Sequence, residues 1–200
     1  MENSIFTPAG DRFNYPAKIV TLGHVYAEGK VPDPKRLRES RAEYSAGVVQ
    51  NNAAWTRVIA ALNRDRKWPL KRLYTLLDPL LEPDIALAVV PPHRAFQAFW
   101  PVRTLAQMLA ENGRIDATDC LVRHTTIRRI VYGGPSTRVL HRQTVQVEHS
   151  ELIKEKRVLL LDDIAKSGAS LVACRDLLLE AGASEVQAMA LGRVIVPNGV

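Results

Sequence analysis

The C-terminal half of the chain alternates between apolar runs and apolar positions at helical spacing. Arg157–Asp163 reads RVLLLDD, a short apolar run closed by two acids, which predicts a strand buried on both faces. A loop of small residues, Ile164–Ala169, follows. From Ser170 to Ala181, Leu171, Cys174, Leu178 and Ala181 fall on one helical face, and Gly182 stands at the C-cap. Val186–Ile195 (VQAMALGRVI) returns as a strand. Strand, loop, helix and strand in this order form a βαβ unit, which requires a parallel sheet.

An earlier unit follows the same grammar. Ile85–Val90 (IALAVV) predicts a buried strand, followed by Pro91-Pro92-His93-Arg94. A helix is expected from Pro101, a favourable first-turn residue, with Val102, Leu105, Met108 and Leu109 facing inward and Asn112-Gly113 ending it. Thr144–Glu148 (TVQVE) alternates like a strand and is assigned to the same sheet. Arg123–Arg142 lies between the units and reads as irregular and basic, with Gly133-Gly134-Pro135 at its tip.

The first eighty residues carry no chemical motif. Lys18–Tyr26 reads as one strand, and Lys35–Leu62 as mostly helical, with Tyr44, Val48, Trp55, Ile59 and Leu62 in a stripe. Pro69 opens a further helix bearing Leu70, Leu73, Tyr74 and Leu77. No Pro/Gly/Ser linker separates this region from the rest. The expectation is therefore a single domain, residues 1–200, of class α/β. Its mainly parallel sheet is flanked by helices (core 81–200) under an N-terminal helical hood (1–80).

Bulk properties exclude more than they select. With 200 residues, 46% of them hydrophobic, the chain can bury one substantial core. No apolar run approaches the roughly 18 residues of a membrane span. MENSIFTPAGDRF lacks the basic start and apolar stretch of a signal peptide, so a cytoplasmic location is expected. Cys120 and Cys174 are far apart without CxxC partners, and Cys174 on its helix reads as a buried thiol. The five histidines have no metal-ligand spacing, so no metal is assigned to the protein's own side chains. A net charge of +6 suits a phosphate-rich ligand. It suits nucleic acid too, but the charge is mixed with acids and forms no basic tail, so nucleic acid is not favoured.

Chemistry concentrates in Val158–Ser170, VLLLDDIAKSGAS. In open α/β sheets ligands bind beyond the carboxyl ends of the strands. Asp162 and Asp163 stand there, followed by small residues with Ser167, Gly168 and Ser170 leading into a helix. A glycine lets several N–H groups converge, and the helix N-terminus adds partial positive charge, which together make a phosphate seat. Acids beside a phosphate need another part of the ligand, and ribose hydroxyls donate to carboxylates. The bland alternative is two acids capping a helix after an ordinary turn. No G-x-x-x-x-G-K-[ST] is present, and Gly133-Gly134 lacks G-x-G-x-x-G spacing.

This segment resembles the phosphoribosyl-pyrophosphate motif of type I phosphoribosyltransferases: four apolar residues, two acids, two variable residues, then Thr/Ser-Thr/Ser-Gly-x-Thr/Ser. Lys166 departs, standing where a hydroxyl residue is common. Over roughly residues 80–196 the chain order resembles the branch around the competence protein ComF, without that branch's four-cysteine zinc module or its Arg-x-Arg-Gly stretch.

The resemblance implies phosphoribosyl pyrophosphate or a nucleoside monophosphate as ligand, Mg²⁺ on its phosphates, and transfer of phosphoribosyl to a nucleobase-like nucleophile. It implies that Asp162 and Asp163 hold ribose, and that Ala165, Lys166, Ser167, Gly168, Ala169 and Ser170 hold the 5′-phosphate. Pro92, His93 and Arg94 would hold pyrophosphate in a turn that is often cis in the family. Arg123–Arg142 would form a lid, with Arg138 after the flexible tip neutralising charge and Arg128, Arg129, Arg142 and His141 as further candidates. The alternative is a non-catalytic nucleotide-binding regulator linked to DNA uptake or repair. A homodimer is compatible with either reading.

Overall fold

The computed structural model describes residues 19–26, 52–64, 67–128 and 137–195. In chain order these give β1 (Val20–Thr21), β2 (His24–Tyr26), α1 (Asn52–Leu62), α2 (Lys67–Leu77), β3 (Ala86–Val89) and α3 (Pro101–Ala110). Then come β4 (Ile115–Asp116), β5 (Leu121–Arg123), α4 (Arg138–Thr144), β6 (Val145–Val147), β7 (Arg157–Ala165), α5 (Ala169–Glu180) and β8 (Glu185–Ile195).

The main sheet has the order β1-β8-β7-β3-β4, with β2 also beside β8, and every pairing in it is parallel. β7 runs between β8 and β3, and its residues Val158–Leu161 are fully buried. Alternation along the strands sorts the core into two layers. Leu159 and Leu161 join Leu87, Val89 and Leu191 under α1, α2 and α3. Val158 and Leu160 join Ala86, Ala88 and Ala190 against α5. Helices on both faces explain why β3 and β7 read as unbroken apolar runs.

The predicted α3 and α5 are present within a residue or two of their expected ends. In α3, Val102, Leu105 and Leu109 are buried, with Ala106 and Ala110 beside them, while Met108 is half-buried. In α5, Leu171, Ala173, Cys174 and Leu178 face the sheet, and Gly182 takes φ +100° just after the helix. Both cysteines are buried free thiols.

Three expectations need correction. Thr144–Glu148 does not enter the main sheet: β6 pairs antiparallel with β5 in a separate two-stranded ribbon. The alternation explains this, because Val145 is buried, Gln146 exposed and Val147 half-buried, whereas an inner parallel strand needs two apolar faces. Lys18–Tyr26 is not one strand. β1 and β2 are separated at Leu22-Gly23 and both add to β8. Arg123–Arg142 is not irregular throughout, since Arg123 closes β5 and Arg138 opens α4, whose first turn is capped by Thr137 Oγ1 accepting from the Leu140 N–H (3.2 Å). Tyr44 and Val48 of the expected helical stripe, and Arg129 with the Gly133–Ser136 tip, lie outside the described residues.

α1 is seated by unusually close approaches. Trp55 is buried and its indole N–H donates to the Leu191 carbonyl (2.8 Å). Gly23 makes room for the ring: a Cβ there would stand 2.7 Å from Trp55 Cδ1. Gly192 likewise admits Val25, whose Cγ1 would lie 2.8 Å from an added Cβ. No helix among the described residues is long and apolar enough to cross a membrane.

Gly23→Ala should therefore push the Trp55 ring off its carbonyl partner and cost about 1–3 kcal/mol, the usual price of overpacking a tight core. Urea titration of wild type and variant measures it; equal midpoints would mean that α1 is loosely seated.

Candidate functional site

β3 and β7 are adjacent and parallel, yet the helices that follow them lie on opposite faces, α3 in one core layer and α5 in the other. This is a topological switch point, where the two departing chains leave a crevice at the carboxyl edge of the sheet. β3 ends at Val89, which pairs with Leu161, and the Val90 N–H adds a last bond to the Leu161 carbonyl (2.9 Å). β7 continues to Ala165 alongside β8 alone. Asp162 and Asp163 are the first residues beyond the β3 contact, so they stand before the end of their strand rather than after it, with one strand edge opened by the departure of β3.

The two carboxylates point to different sides. Asp162 turns toward α5: its Oδ2 accepts from the Ser170 hydroxyl (3.2 Å) and its Oδ1 from the Asp163 N–H (2.9 Å). Burial, and then the neighbouring Asp163 charge, push the Asp162 pKa well above the ordinary carboxylate range. Asp163 turns toward the end of α1. Its Oδ1 accepts from the Ile164 N–H (2.7 Å) and its Oδ2 from Asn63 Nδ2 (2.9 Å).

Lys166-Ser167-Gly168 forms the bend into α5. Gly168 is buried at φ +75°, in the left-handed region that a side chain resists, and serves as the N-cap residue of α5. Ser167 Oγ accepts weakly from the Ala169 N–H (3.4 Å), and the Gly168 carbonyl accepts the first helical bond from Val172 (2.9 Å). The first N–H groups of a helix have no partner within it and carry the positive end of its dipole. The bend thus sets the positive end of the α5 dipole directly after the two carboxylates.

Across the crevice, the turn after β3 is braced from behind. Arg123 Nε donates to the Pro92 carbonyl (2.6 Å), and the Ile127 N–H to the His93 carbonyl (2.9 Å). The Ala95 N–H donates to Thr126 Oγ1 (3.0 Å). No described peptide bond is cis, so the turn is not of the cis kind expected. In a trans peptide the C=O and N–H point in opposite directions. Tying the Pro92 and His93 carbonyls toward β5 therefore turns the His93 and Arg94 N–H groups the other way. Arg94 is exposed, and Pro92 and His93 are half-buried.

Arg123 is not a lid residue. It is 2% exposed, and besides Pro92 it donates to Thr144 Oγ1 (2.5 Å) and to His141 Nδ1 (3.2 Å). Burial, then the Arg123 charge, lowers the His141 pKa to about 4, so the imidazole is neutral near pH 7 and its Nδ1 accepts. Burial also pulls the guanidinium of Arg123 down, against an opposing influence from Asp162.

Arg138 is not brought to the carboxylates either. It pairs with Asp176 Oδ2 (2.7 Å), and Arg142 pairs with Glu180 Oε2 (2.8 Å), two rungs joining successive turns of α4 and α5. Asp176 stands about 10 Å down α5 from its N-terminus at the standard helical rise. The structure thus gathers Asp162, Asp163, Ala165–Ser170 and Pro92–Arg94 at one sheet edge and sends Arg138 to a helix flank. Sequence reasoning missed Asn63, a hundred positions from its carboxylate, and misplaced Arg123. The signal for Arg123 was its place in LVR, where it shares alternation with buried Leu121.

The architecture now has relatives. Residues 95–194, half of the chain, match the phosphoribosyl transferase domain family, and the chain belongs to that family. It is a phosphoribosyltransferase of the type I fold class. The match is to the family as a whole and singles out no branch of it. Among solved structures, the purine phosphoribosyltransferase from Pyrococcus horikoshii Ot3 is similar at 16% identity, over 72% of this chain and 87% of that one, with a TM-score of 0.33. No curated protein matches the chain.

The Asp162 geometry makes a pH prediction. An acid whose folded pKa is raised costs stability once pH rises above its unfolded value, about 3.9. Asp162→Asn removes that cost while keeping an oxygen for the Asp163 N–H. The variant should melt above wild type near pH 8, and the gap should narrow as pH falls through about 4 and reach its minimum below about 3, where Asp162 is protonated in both states. Paired melting curves across that range check it; a gap independent of pH would mean the Asp162 charge is well accommodated.

Proposed function

We propose that this phosphoribosyltransferase binds phosphoribosyl pyrophosphate at the β3–β7 crevice. It transfers the phosphoribosyl group to a nitrogen of a nucleobase-like acceptor and releases pyrophosphate. The observation that carries the reading is the left-handed bend at Gly168, which opens α5 immediately after two carboxylates at the switch point. A phosphate fits the donor side of that bend, and a sugar fits the acceptor side.

In this reading the N–H groups of Ala165–Ala169, with Ser167 and Ser170 and the exposed Lys166 nearby, seat the 5′-phosphate. Asp163 takes the ribose hydroxyls. Asp162, held by Ser170 and by the Asp163 N–H, acts chiefly by keeping the bend in shape. The turned-out N–H groups of His93 and Arg94, with the Arg94 side chain, receive the pyrophosphate. As the bond from C1′ to the pyrophosphate oxygen breaks, the C1′–N bond forms, pyrophosphate leaves with the bonding pair, and the acceptor nitrogen gives up its proton to solvent. Positive charge on the sugar ring peaks between these events, so positioning and charge neutralisation supply the catalysis.

Among the described residues no group of three or more His, Cys, Asp or Glu is disposed to cage a metal. The two carboxylates of Asp162 and Asp163 beside the crevice fit Mg²⁺ carried on substrate phosphates, since this ion keeps several waters and takes one or two carboxylates at most. When bound, it would neutralise phosphate charge. The reading places the reaction in the cytoplasm.

Asp163→Asn should weaken binding of phosphoribosyl pyrophosphate by about 1–3 kcal/mol, the scale of a hydrogen bond to a charged group. Gly168→Val should weaken it more, because a branched side chain resists φ +75° and crowds the bend. Calorimetric titration, with melts as the folding control, measures both. Pyrophosphate release with Mg²⁺ and a panel of bases tests turnover. Unchanged binding in folded variants would reduce the bend to a helix cap.

A further inference from the structure

Asn63 reaches Asp163 because of how α1 is docked. The Trp55 indole is anchored on the Leu191 carbonyl, and Ile59 lies beside Gly192, 3.7 Å from where a Cβ would stand. Gly192 pairs across the sheet with Ile164, the residue after Asp163. The helix is therefore seated on the β8 residues that flank the candidate site. One turn further on, the Asn63 N–H still bonds to the Ile59 carbonyl (3.0 Å), which continues the helical path and carries the side chain to the carboxylate. Its Nδ2 donates to Asp163 Oδ2 at 2.9 Å.

The contact has a chemical consequence. Asp163 Oδ1 already accepts from the Ile164 N–H, so a second donor on the other oxygen fixes the plane of the carboxylate. Each carboxylate oxygen has two lone-pair directions. One on each is taken by the protein, which leaves one on each for a ligand, in a defined orientation. Two neighbouring hydroxyls of a ribose match that arrangement. Asn63 is itself exposed, so its bond adds little to the core.

We propose that Asn63 is a positioning residue of the reaction centre, contributed by the N-terminal helical region, that orients Asp163 toward the vicinal hydroxyls of the sugar. The proposal rests on the reading of Asp163 as the ribose ligand. It makes the helical region a part of the sugar site as well as a cover. It also gives the rigid seating of α1 a function, since a displacement of the helix would misalign the carboxylate.

The test is a double-mutant cycle between Asn63→Ala and Asp163→Asn in the full chain, titrated separately with ribose 5-phosphate and with inorganic pyrophosphate. Asn63→Ala should lower ribose 5-phosphate affinity about tenfold. It should leave pyrophosphate affinity and the melting temperature at wild-type values. The double variant should bind the sugar phosphate no more weakly than Asp163→Asn alone, because Asn63 acts through Asp163. The proposal is overturned if Asn63→Ala binds ribose 5-phosphate like wild type, if the two losses add, or if pyrophosphate affinity falls equally. Wild type that binds pyrophosphate and responds to Asp163→Asn, with Asn63→Ala silent, removes this inference alone. Wild type that binds no ribose 5-phosphate removes the reading of the site along with it.

Discussion

A parallel strand buried on both faces has no place for a carboxylate while both neighbours remain beside it. Here β3 stops opposite Leu161 and β7 runs four residues further. That difference in strand length opens one edge of β7 at Asp162, where a carboxyl group first finds room. The helices then leave on opposite faces, α3 toward one layer and α5 toward the other, so the opened edge faces a crevice. The bend into α5, the divided carboxylates and the turn braced across from them all depend on this stagger. A β3 two residues longer would close the edge on the acids.

The opened edge also explains why two adjacent acids differ. Successive side chains on a strand leave opposite faces, so Asp162 and Asp163 cannot share a role by sharing a direction. Asp162 is directed against α5, where burial and its neighbour's charge disfavour ionisation. Asp163 is directed toward the end of α1 and accepts two donors on separate oxygens. A pair that reads as one feature in the sequence becomes a brace and a candidate ligand in the fold.

What was legible in the sequence is what burial on two faces writes into composition. RVLLLDD and IALAVV announce β7 and β3, and the spacing of Leu171, Cys174 and Leu178 announces α5, because local pattern and tertiary position agree there. The bend was legible because its glycine and small residues have few other uses between a buried strand and a helix. The alternation of TVQVE reveals a strand but not its sheet, since a ribbon covering one face and an edge strand look alike. Few apolar positions mark α4, and its Thr137 cap was hidden among basic residues. Arg123 and Asn63 belong to contacts of long sequence separation, which no local pattern encodes. A charged residue is also read as solvated unless its partners are known.

Arg123 shows what such a buried charge accomplishes. A guanidinium at 2% exposure must spend its donors on the protein, and it does so on the Pro92 carbonyl, Thr144 and His141. Its backbone carbonyl accepts the Phe96 N–H (2.9 Å), and the adjacent His124 N–H donates to the Thr144 carbonyl (3.1 Å). One residue thereby fastens the turn after β3, the start of the segment leading away from β5, and the end of α4 where that segment returns. A hydrophobic residue at 123 would fill the space but leave the Pro92 carbonyl undirected, and the N–H groups on the far side of that peptide would lose their aim. The neutral His141 completes the arrangement, because a protonated imidazole would face the guanidinium as a second cation and could no longer accept from it. The crevice therefore has an acid-bearing strand on one side and, on the other, a turn that the buried Arg123 orients together with the Ile127 N–H and Thr126.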